Sequence, residues 1–161
     1  MNKPNIVEID SKDKDIISIL QEDAGCPIQD IADRVGLTNN PCWRRIKRLE
    51  ELGVIHSRIA LVDAKILGVG TTAFVTIRID SHNREWLGQF KKAVQEIPEI
   101  LECHRMTGDV DYLLKVSIRD LEHYDAVYQR LISSVPGLTD VSSAFSMETL
   151  KLHNGIDMRT I

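Results

Sequence analysis

The densest positive charge in this 161-residue chain lies between residues 44 and 48, where four of the five side chains are basic: Arg44, Arg45, Lys47 and Arg48. Two amides, Asn39 and Asn40, stand shortly before them. Guanidinium and ammonium groups bind phosphate, and an asparagine amide can pair with adenine in the major groove. This combination predicts contact with double-stranded DNA.

One helix, from about residue 39 to residue 52, would give these side chains a common surface. Cys42, Ile46 and Leu49 follow one another at steps of four and three residues, which predicts that they pack inward. Thr38 is a suitable N-cap. The candidate DNA-binding residues are those on the outward surface and its flanks: Thr38, Asn39, Asn40, Trp43, Arg44, Arg45, Lys47 and Arg48.

Two shorter helices should come first. Ile16, Ile17 and Leu20 share one face of a helix for which Ser11 is the candidate cap, and a second helix, residues 28–35, ends at Gly36. A tight turn before a basic third helix is how helix-turn-helix proteins place a recognition helix in the major groove. We predict base contacts from Asn39, Asn40 and Arg44, with phosphate as a second target for Arg44. Backbone contacts are predicted for Thr38, Arg45, Lys47 and Arg48.

The alternative for this segment is an ordinary helical hairpin whose basic residues form a solvated face, partly paired with Glu50 and Glu51. Trp43 fits that alternative less well, because a large aromatic ring on a polar face needs a partner. The Trp43 ring would pack either on DNA or against another part of the protein.

The apolar pattern changes after Gly53. The β pattern of the next apolar residues predicts a short hairpin or strand pair that closes a winged module: Val54, Ile55, Ile59, Leu61 and Val62. We therefore predict a helix-turn-helix domain over residues 1–62, a linker over 63–70 and a second domain over 71–161.

Strands and helices alternate in the second domain. Strands are predicted over residues 73–79, 100–106, 110–118 and 141–150, and helices over 86–97 and from 121 to about 132. The order βαββαβ is the ferredoxin-like arrangement, with two helices on one face of a four-stranded antiparallel sheet. The predicted class is α+β, and the uncovered sheet face must meet solvent, a ligand or a second chain.

Composition argues against several other classes of protein. No apolar run approaches the roughly 18 residues of a membrane span, and the first residues lack the features of a signal peptide. Cys26, Cys42 and Cys103 form no C-x-x-C motif and read as reduced thiols. These features predict a cytoplasmic protein that does not enter membranes.

Catalysis is not predicted. The five histidines are scattered, and no nucleophile–base pair or metal-spaced cluster stands out, so we assign no catalytic residue, metal or cofactor. The net charge of −4 argues against an indiscriminate nucleic-acid binder. An RNA-binding sheet would need paired aromatics with flanking Arg or Lys, a pattern that Phe74 and Tyr112 do not make.

Two motifs together carry a family resemblance. The N-terminal segments DIISIL (15–20), IADRVGL (31–37), RIKRLE (45–50) and GVI (53–55) resemble the DNA-binding half of the Lrp/AsnC regulators. TGDVDYLL (107–114) and VPGL (135–138) are similar to the amino-acid-sensing half. TNNPCWRRIKRLE (38–50) with TAFV (72–75) is closest to the cysteine-responsive branch, which controls cysteine detoxification.

The resemblance implies dimers formed through the α+β domains, assembled further into tetramers or octamers, with an amino-acid effector between subunits near the Gly108-Asp109 turn. Such a turn offers amides for a carboxylate and aspartates for an ammonium group, whereas a plain hairpin turn is its alternative. Met106 and Tyr112 are either pocket wall or sheet packing. The candidate effector-binding residues are Met106, Thr107, Gly108, Asp109, Asp111, Ser142 and Ser143.

We therefore predict a sequence-specific DNA-binding transcriptional regulator that is not an enzyme. Its partners are double-stranded DNA, further copies of itself and a small amino acid, with cysteine as the first candidate. The alternative is an amino-acid-binding oligomeric protein without DNA-binding activity.

Overall fold

The computed structural model describes residues 7–80, 83–153 and 155–161. Its contacts divide the chain into two compact units, Met1–Leu61 with Lys151–Ile161, and Val62–Leu150. The elements are α1 (Ser11–Glu22), α2 (Ile28–Val35), α3 (Asn39–Glu51), β1 (Thr71–Ile79), α4 (Arg84–Glu96), β2 (Ile100–Arg105), β3 (Tyr112–Ile118), α5 (Leu121–Ser134), β4 (Leu138–Phe145) and a closing 3-10 turn (Met158–Thr160).

Helices α1 to α3 form the first unit around an apolar core. Ile16, Ile31, Cys42, Ile46 and Leu49 are buried in it, so the predicted inward face of α3 is confirmed. Gly36 ends α2 with φ of 65°, a left-handed conformation that glycine adopts without steric cost. The Leu37 N–H then donates to the Ala32 carbonyl at 2.9 Å, which closes the turn into α3.

The start of α1 differs from the prediction, because Asp10 rather than Ser11 is the N-cap. The Asp10 carboxylate accepts the Asp13 N–H at 2.9 Å, and the Asp13 carboxylate accepts the Asp10 N–H at 3.3 Å. This reciprocal pair is a capping box, which satisfies two amide groups that the helix leaves open. A carboxylate replaces the hydroxyl that the sequence pattern suggested.

Asp13 also joins α1 to α3. Only 1% of Asp13 is exposed, and its two carboxylate oxygens accept from Arg45 at 2.7 Å and from Arg48 at 3.2 Å. Arg45 donates in addition to Asp10 at 2.7 Å. A buried carboxylate is costly unless it is paired and hydrogen-bonded, and here both conditions hold. We call this group, Asp10, Asp13, Arg45 and Arg48, the α1–α3 clamp.

The predicted wing hairpin is wrong, because residues 55–62 form no strand and residues 53–54 lie in a turn and bend. Ile59, Leu61 and Val62 remain 68 to 71% exposed. Their residue types favour a strand, but an isolated two-stranded pair is marginal without further strands or a packed face. The apolar pattern alone therefore did not produce a ladder within the chain.

The second unit is the predicted α+β fold. Its antiparallel sheet has the strand order β2-β3-β1-β4, and α4 and α5 pack against one face. On that face Phe90 lies with its ring centroid 5.0 Å from that of Trp86 and 4.5 Å from that of Tyr112. The other face carries Phe74, which is 40% exposed.

The last strand lies earlier than predicted, over Leu138–Phe145 rather than residues 141–150. Its partner is β1, which begins at Thr71. The Ser146 N–H donates to the Thr72 carbonyl at 2.8 Å, and beyond that point β1 offers almost no further backbone for pairing. β4 therefore ends where β1 offers almost no further backbone groups for hydrogen bonding.

The C-terminal segment also differs from the predicted domain division, which placed it with the second domain. Met158 is buried among the core residues of the first unit. Gln21 of α1 donates to the Ile156 carbonyl at 3.0 Å and accepts the Ile156 N–H at 2.6 Å. Apolar burial and paired hydrogen bonds thus attach Lys151–Ile161 to the helical unit, so the chain connects the two units twice.

The clamp generates a stability prediction. Removing one partner of a buried ion pair costs about 3 to 5 kcal/mol. Because the Arg45 and Arg48 side chains are 31% and 50% exposed and regain water, we expect Asp13→Ala to lower the free energy of unfolding of the first unit by about 2 kcal/mol. Urea unfolding followed by Trp43 fluorescence, with Trp86 replaced by Phe, measures this change.

Asp15→Ala is the matched control for that experiment, since Asp15 is an exposed carboxylate on the same helix. We expect its effect to stay within about 0.5 kcal/mol. Equal losses in the two variants would contradict a clamp centred on Asp13.

Candidate functional site

The outward surface of α3 carries the predicted DNA contacts. Asn39, Asn40 and Arg44 are exposed, and Trp43 is 48% exposed beside them. Cys42, Ile46 and Leu49 anchor the opposite side of the helix. Since one rigid helix holds these polar side chains, they can approach a groove together.

The four cations between residues 44 and 48 are not equivalent. Arg45 and Arg48 belong to the α1–α3 clamp, and Arg48 also donates to the Glu8 carbonyl at 3.2 Å. Lys47 pairs with Glu50 at 2.7 Å. In the part of the chain that the structure describes, no carboxylate pairs with Arg44. Its charge is the most available of the four.

Contacts within the clamp also shift the pKa values of two of its residues, Arg45 and Asp10. Hydrogen bonds to Asp13 and then to Asp10 raise the pKa of Arg45. The backbone N–H of Asp13, followed by the Arg45 side chain, lowers the pKa of Asp10. Each partner therefore favours the charged form of the other, so the clamp is strongest when both groups are ionised.

Thr38 precedes α3 as its N-cap, as predicted, but its side chain makes no capping hydrogen bond. The hydroxyl is exposed at the N-terminal end of the helix. Asn39 follows, and its side-chain nitrogen donates to the Gln29 side-chain oxygen of α2 at 2.6 Å. The N-terminal end of α3 is thus connected to α2 through Asn39.

This surface is also supported by residues that were not predicted from the sequence: Asp10, Asp13, Gln29 and Asp33. Two signals were available in the sequence. Asp10 and Asp13 have the spacing of a capping box, and Gln29 and Asp33 have the spacing of neighbours on a helix. Neither spacing shows that Asp10, Asp13 and Gln29 contact side chains of α3.

The second candidate site is the turn between β2 and β3. Met106, Thr107, Gly108 and Asp109 are all exposed in it, and Gly108 has φ of 104°, a backbone conformation that favours glycine. The Met106 N–H donates to the Asp111 carbonyl at 2.8 Å and closes the loop. The turn therefore presents a carboxylate and backbone amides on a defined loop.

Asp111 connects this turn to β1. Its carboxylate accepts the Ile79 N–H at 2.9 Å, and its own N–H donates to the Ile77 carbonyl at 2.9 Å. Tyr112 is buried in the aromatic cluster with Phe90 and Trp86, and this burial raises the pKa of its hydroxyl. Tyr112 therefore belongs to the sheet packing, which was one of its two predicted roles.

The structure does not bring both Ser142 and Ser143 to the turn of the same chain. Ser142 pairs with Thr76 and Ser143 with Val75 on β1, so their side chains point to opposite faces of the sheet. Ser143 is hydrogen-bonded to the Tyr124 hydroxyl of α5 on the helix-covered face. β4 also lies two strands away from β3, a separation of roughly 10 Å.

Across residues 7–80, 83–153 and 155–161, no group of three or more His, Cys, Asp or Glu side chains is arranged to hold a metal ion. Among the helices in these ranges, none is both long and apolar enough to cross a membrane.

Comparison with known proteins covers both units. Residues 9–56 match a family described as winged helix-turn-helix DNA-binding, and residues 72–156 match the Lrp/AsnC ligand binding domain. The chain is 44% identical over 143 residues to the DNA-binding transcriptional activator DecR of Escherichia coli, covering 89% of this chain and 94% of DecR. A glutamate uptake regulatory protein of Zymomonas mobilis is 44% identical over 146 residues, covering 91% of this chain and 88% of that protein.

Solved structures agree with these matches. An AsnC family transcriptional regulator from Agrobacterium tumefaciens superposes with a TM-score of 0.91 at 46% identity, covering 95% of this chain and 99% of that one. A transcriptional regulator from Neisseria meningitidis, solved as a complex with L-Met, gives a TM-score of 0.88 at 28% identity, covering 92% and 96%. This chain belongs to the Lrp/AsnC family of DNA-binding transcriptional regulators.

Proposed function

We propose that this regulator reads its operator through the N-terminal half of α3 and that an amino acid bound at the β2–β3 turn modulates its activity. The DNA-binding part of this proposal rests on the division of charge among the basic residues of α3. Arg44 is exposed and unpaired within the described residues, next to two exposed amides, whereas Arg45 and Arg48 hold the helix in place.

The residues of this surface have three kinds of role in the proposal: base contact, contact with the DNA backbone, and positioning of the helix. Asn39 and Asn40 contact base edges, and Arg44 contacts guanine or a phosphate. Thr38 and Lys47 contact the DNA backbone, and Trp43 packs against it. Arg45 and Arg48 act mainly as positioning residues, since a phosphate would have to compete with the buried Asp13 carboxylate for their hydrogen bonds.

The effector proposal rests on the chemistry of the turn. A free amino acid carries a carboxylate and an ammonium group. The amides around Gly108 suit the carboxylate, and the exposed Asp109 suits the ammonium, while Asp111 holds the turn against β1. The similarity of residues 38–50 and 72–75 to the cysteine-responsive branch supports L-cysteine as the first effector to test.

We further propose that the complete effector site forms between subunits of a homo-oligomer, a dimer that assembles into tetramers or octamers. Within one chain the turn and Ser142 lie on different strands, and the sheet face that carries Ser142 is not covered by α4 or α5. A second subunit would bring further groups to the exposed turn. A cytoplasmic location and the absence of a catalytic step belong to the same proposal.

Replacing Arg44 tests the DNA-binding surface. Because Arg44 is the available cation on α3, we expect Arg44→Ala to weaken binding to the operator duplex. If it contacts guanine, the loss is about 1 to 3 kcal/mol at one base pair, and if it contacts phosphate, the slope of log K against log salt falls by about 0.9. Fluorescence anisotropy at several salt concentrations measures both quantities.

Arg84→Ala provides the matched control, since Arg84 is an exposed arginine of the second unit. It should leave operator affinity and salt slope near their original values. An Arg44→Ala protein that retained both original values would remove Arg44 from the interface.

Replacing Asp109 tests the effector site. A hydrogen bond to a charged group contributes about 1.5 to 3 kcal/mol, so Asp109→Ala should raise the Kd for the effector about tenfold or more. Effector-free DNA binding should not change. Calorimetric titration with L-cysteine, L-methionine and L-leucine, followed by operator binding with each amino acid, gives both results.

Asp125→Ala is the control here, because Asp125 is an exposed carboxylate on α5. It should bind the effector like the unmodified protein. If Asp109→Ala also did so, Asp109 could not be the ammonium partner.

A further inference from the structure

A chain of hydrogen bonds crosses the turn between α2 and α3. The Gln29 side-chain nitrogen lies 3.0 and 3.1 Å from the two carboxylate oxygens of Asp33, one helical turn further along α2. The Gln29 side-chain oxygen accepts from the Asn39 side-chain nitrogen at 2.6 Å. The order is therefore Asp33, Gln29, Asn39, and we call these three residues the amide relay.

The carboxylate gives the relay a fixed direction. An ionised carboxylate only accepts hydrogen bonds, so the nitrogen of the Gln29 amide, and not its oxygen, must face Asp33. The Gln29 oxygen then faces Asn39, and only the Asn39 nitrogen can donate to it. Oδ1 of Asn39 is left pointing away from Gln29 as a hydrogen-bond acceptor.

Without Asp33 this direction would be lost. Two side-chain amides can pair in either sense, because each carries both a donor and an acceptor. Asn39 could then donate to Gln29 or accept from it, and its outward group would be an oxygen in one arrangement and a nitrogen in the other. These two arrangements recognise opposite groups on a base edge.

We infer that Asp33 and Gln29 determine the base preference of Asn39 by holding its Oδ1 towards the DNA. An outward oxygen accepts from the amino group of adenine or cytosine, whereas an outward nitrogen would suit guanine or thymine oxygens. The second hydrogen of the Asn39 nitrogen remains available for adenine N7, so a bidentate contact with adenine is retained. The inference rests on the proposed role of Asn39 as a base contact.

The charge of Asp33 supports a role in selection rather than in affinity. Asp33, Thr38, Asn39 and Asn40 line the same shallow depression, so a carboxylate stands beside the proposed base-reading residues. A negative charge there repels DNA phosphates of any sequence. Asp33 thus weakens general binding while it orients the side chain that discriminates between bases.

The test uses the full-length protein and an operator selected from a random duplex library. Modified duplexes each lack one amino group, because purine replaces one adenine or 2-pyrimidinone replaces one cytosine. The readout is the Kd for a modified duplex divided by the Kd for the intact duplex. At the base that Asn39 contacts, we expect a ratio of about fivefold or more, the lower end for a bidentate contact. Asn39→Ala should bring this ratio close to one.

Two variants then isolate the relay. Asp33→Ala should also reduce the ratio towards one, and should bind random duplex at least as tightly as the unmodified protein. The double variant Gln29→Glu with Asp33→Ala should restore the ratio, because the introduced carboxylate accepts from Asn39 without needing a partner of its own. This double variant has the original net charge, so a purely electrostatic or folding effect would not produce the rescue.

Asp30→Ala removes the same charge from an exposed position on α2 and should keep the original ratio. Asp33→Ala with an unchanged ratio, or a double variant without rescue, would overturn the relay while leaving Asn39 as a base contact. If Asn39→Ala left the Kd ratio unchanged at every modified base, both the proposed base contact and the relay would be wrong.

Discussion

The orientation of α3 depends on one buried carboxylate. Asp13 lies at the first turn of α1, yet its oxygens bind two arginines of α3 that are 32 and 35 residues further along the chain. Such a charge is stable in an apolar surrounding only when its partners stay in place. The same residue completes the capping box, so the start of α1 and the direction of α3 are fixed together.

This arrangement divides the basic cluster into two functions. Arg45 and Arg48 each make two hydrogen bonds inside the protein, whereas Arg44 projects from the same helix without a carboxylate partner among the described residues. Under the function proposed above, a protein with a formal net charge of −4 presents Arg44 and two exposed amides of α3 to DNA. Such a surface favours selectivity over general attraction to phosphate.

In the ligand-binding domain, too, one aspartate supports the local structure while another is exposed. Asp111 is occupied by the Ile79 amide, while Asp109 is exposed on a turn whose shape depends on Gly108. Helices α4 and α5 cover one face of the sheet. The chain passes between the two units twice, because the C-terminal segment returns to α1.

The sequence alone determined the features that depend on spacing along the chain. The inward face of α3, the turn at Gly36, the basic cluster and the βαββαβ order are periodic or local patterns, and they agree with the structure. Tertiary structure decided which distant groups meet: Asp13 with two arginines, Gln29 with Asn39, and Met158 with the helical core. It also ended β4 where β1 ran out of backbone and left residues 55–62 without a ladder, because hydrogen-bonding partners depend on position in space and not on residue type.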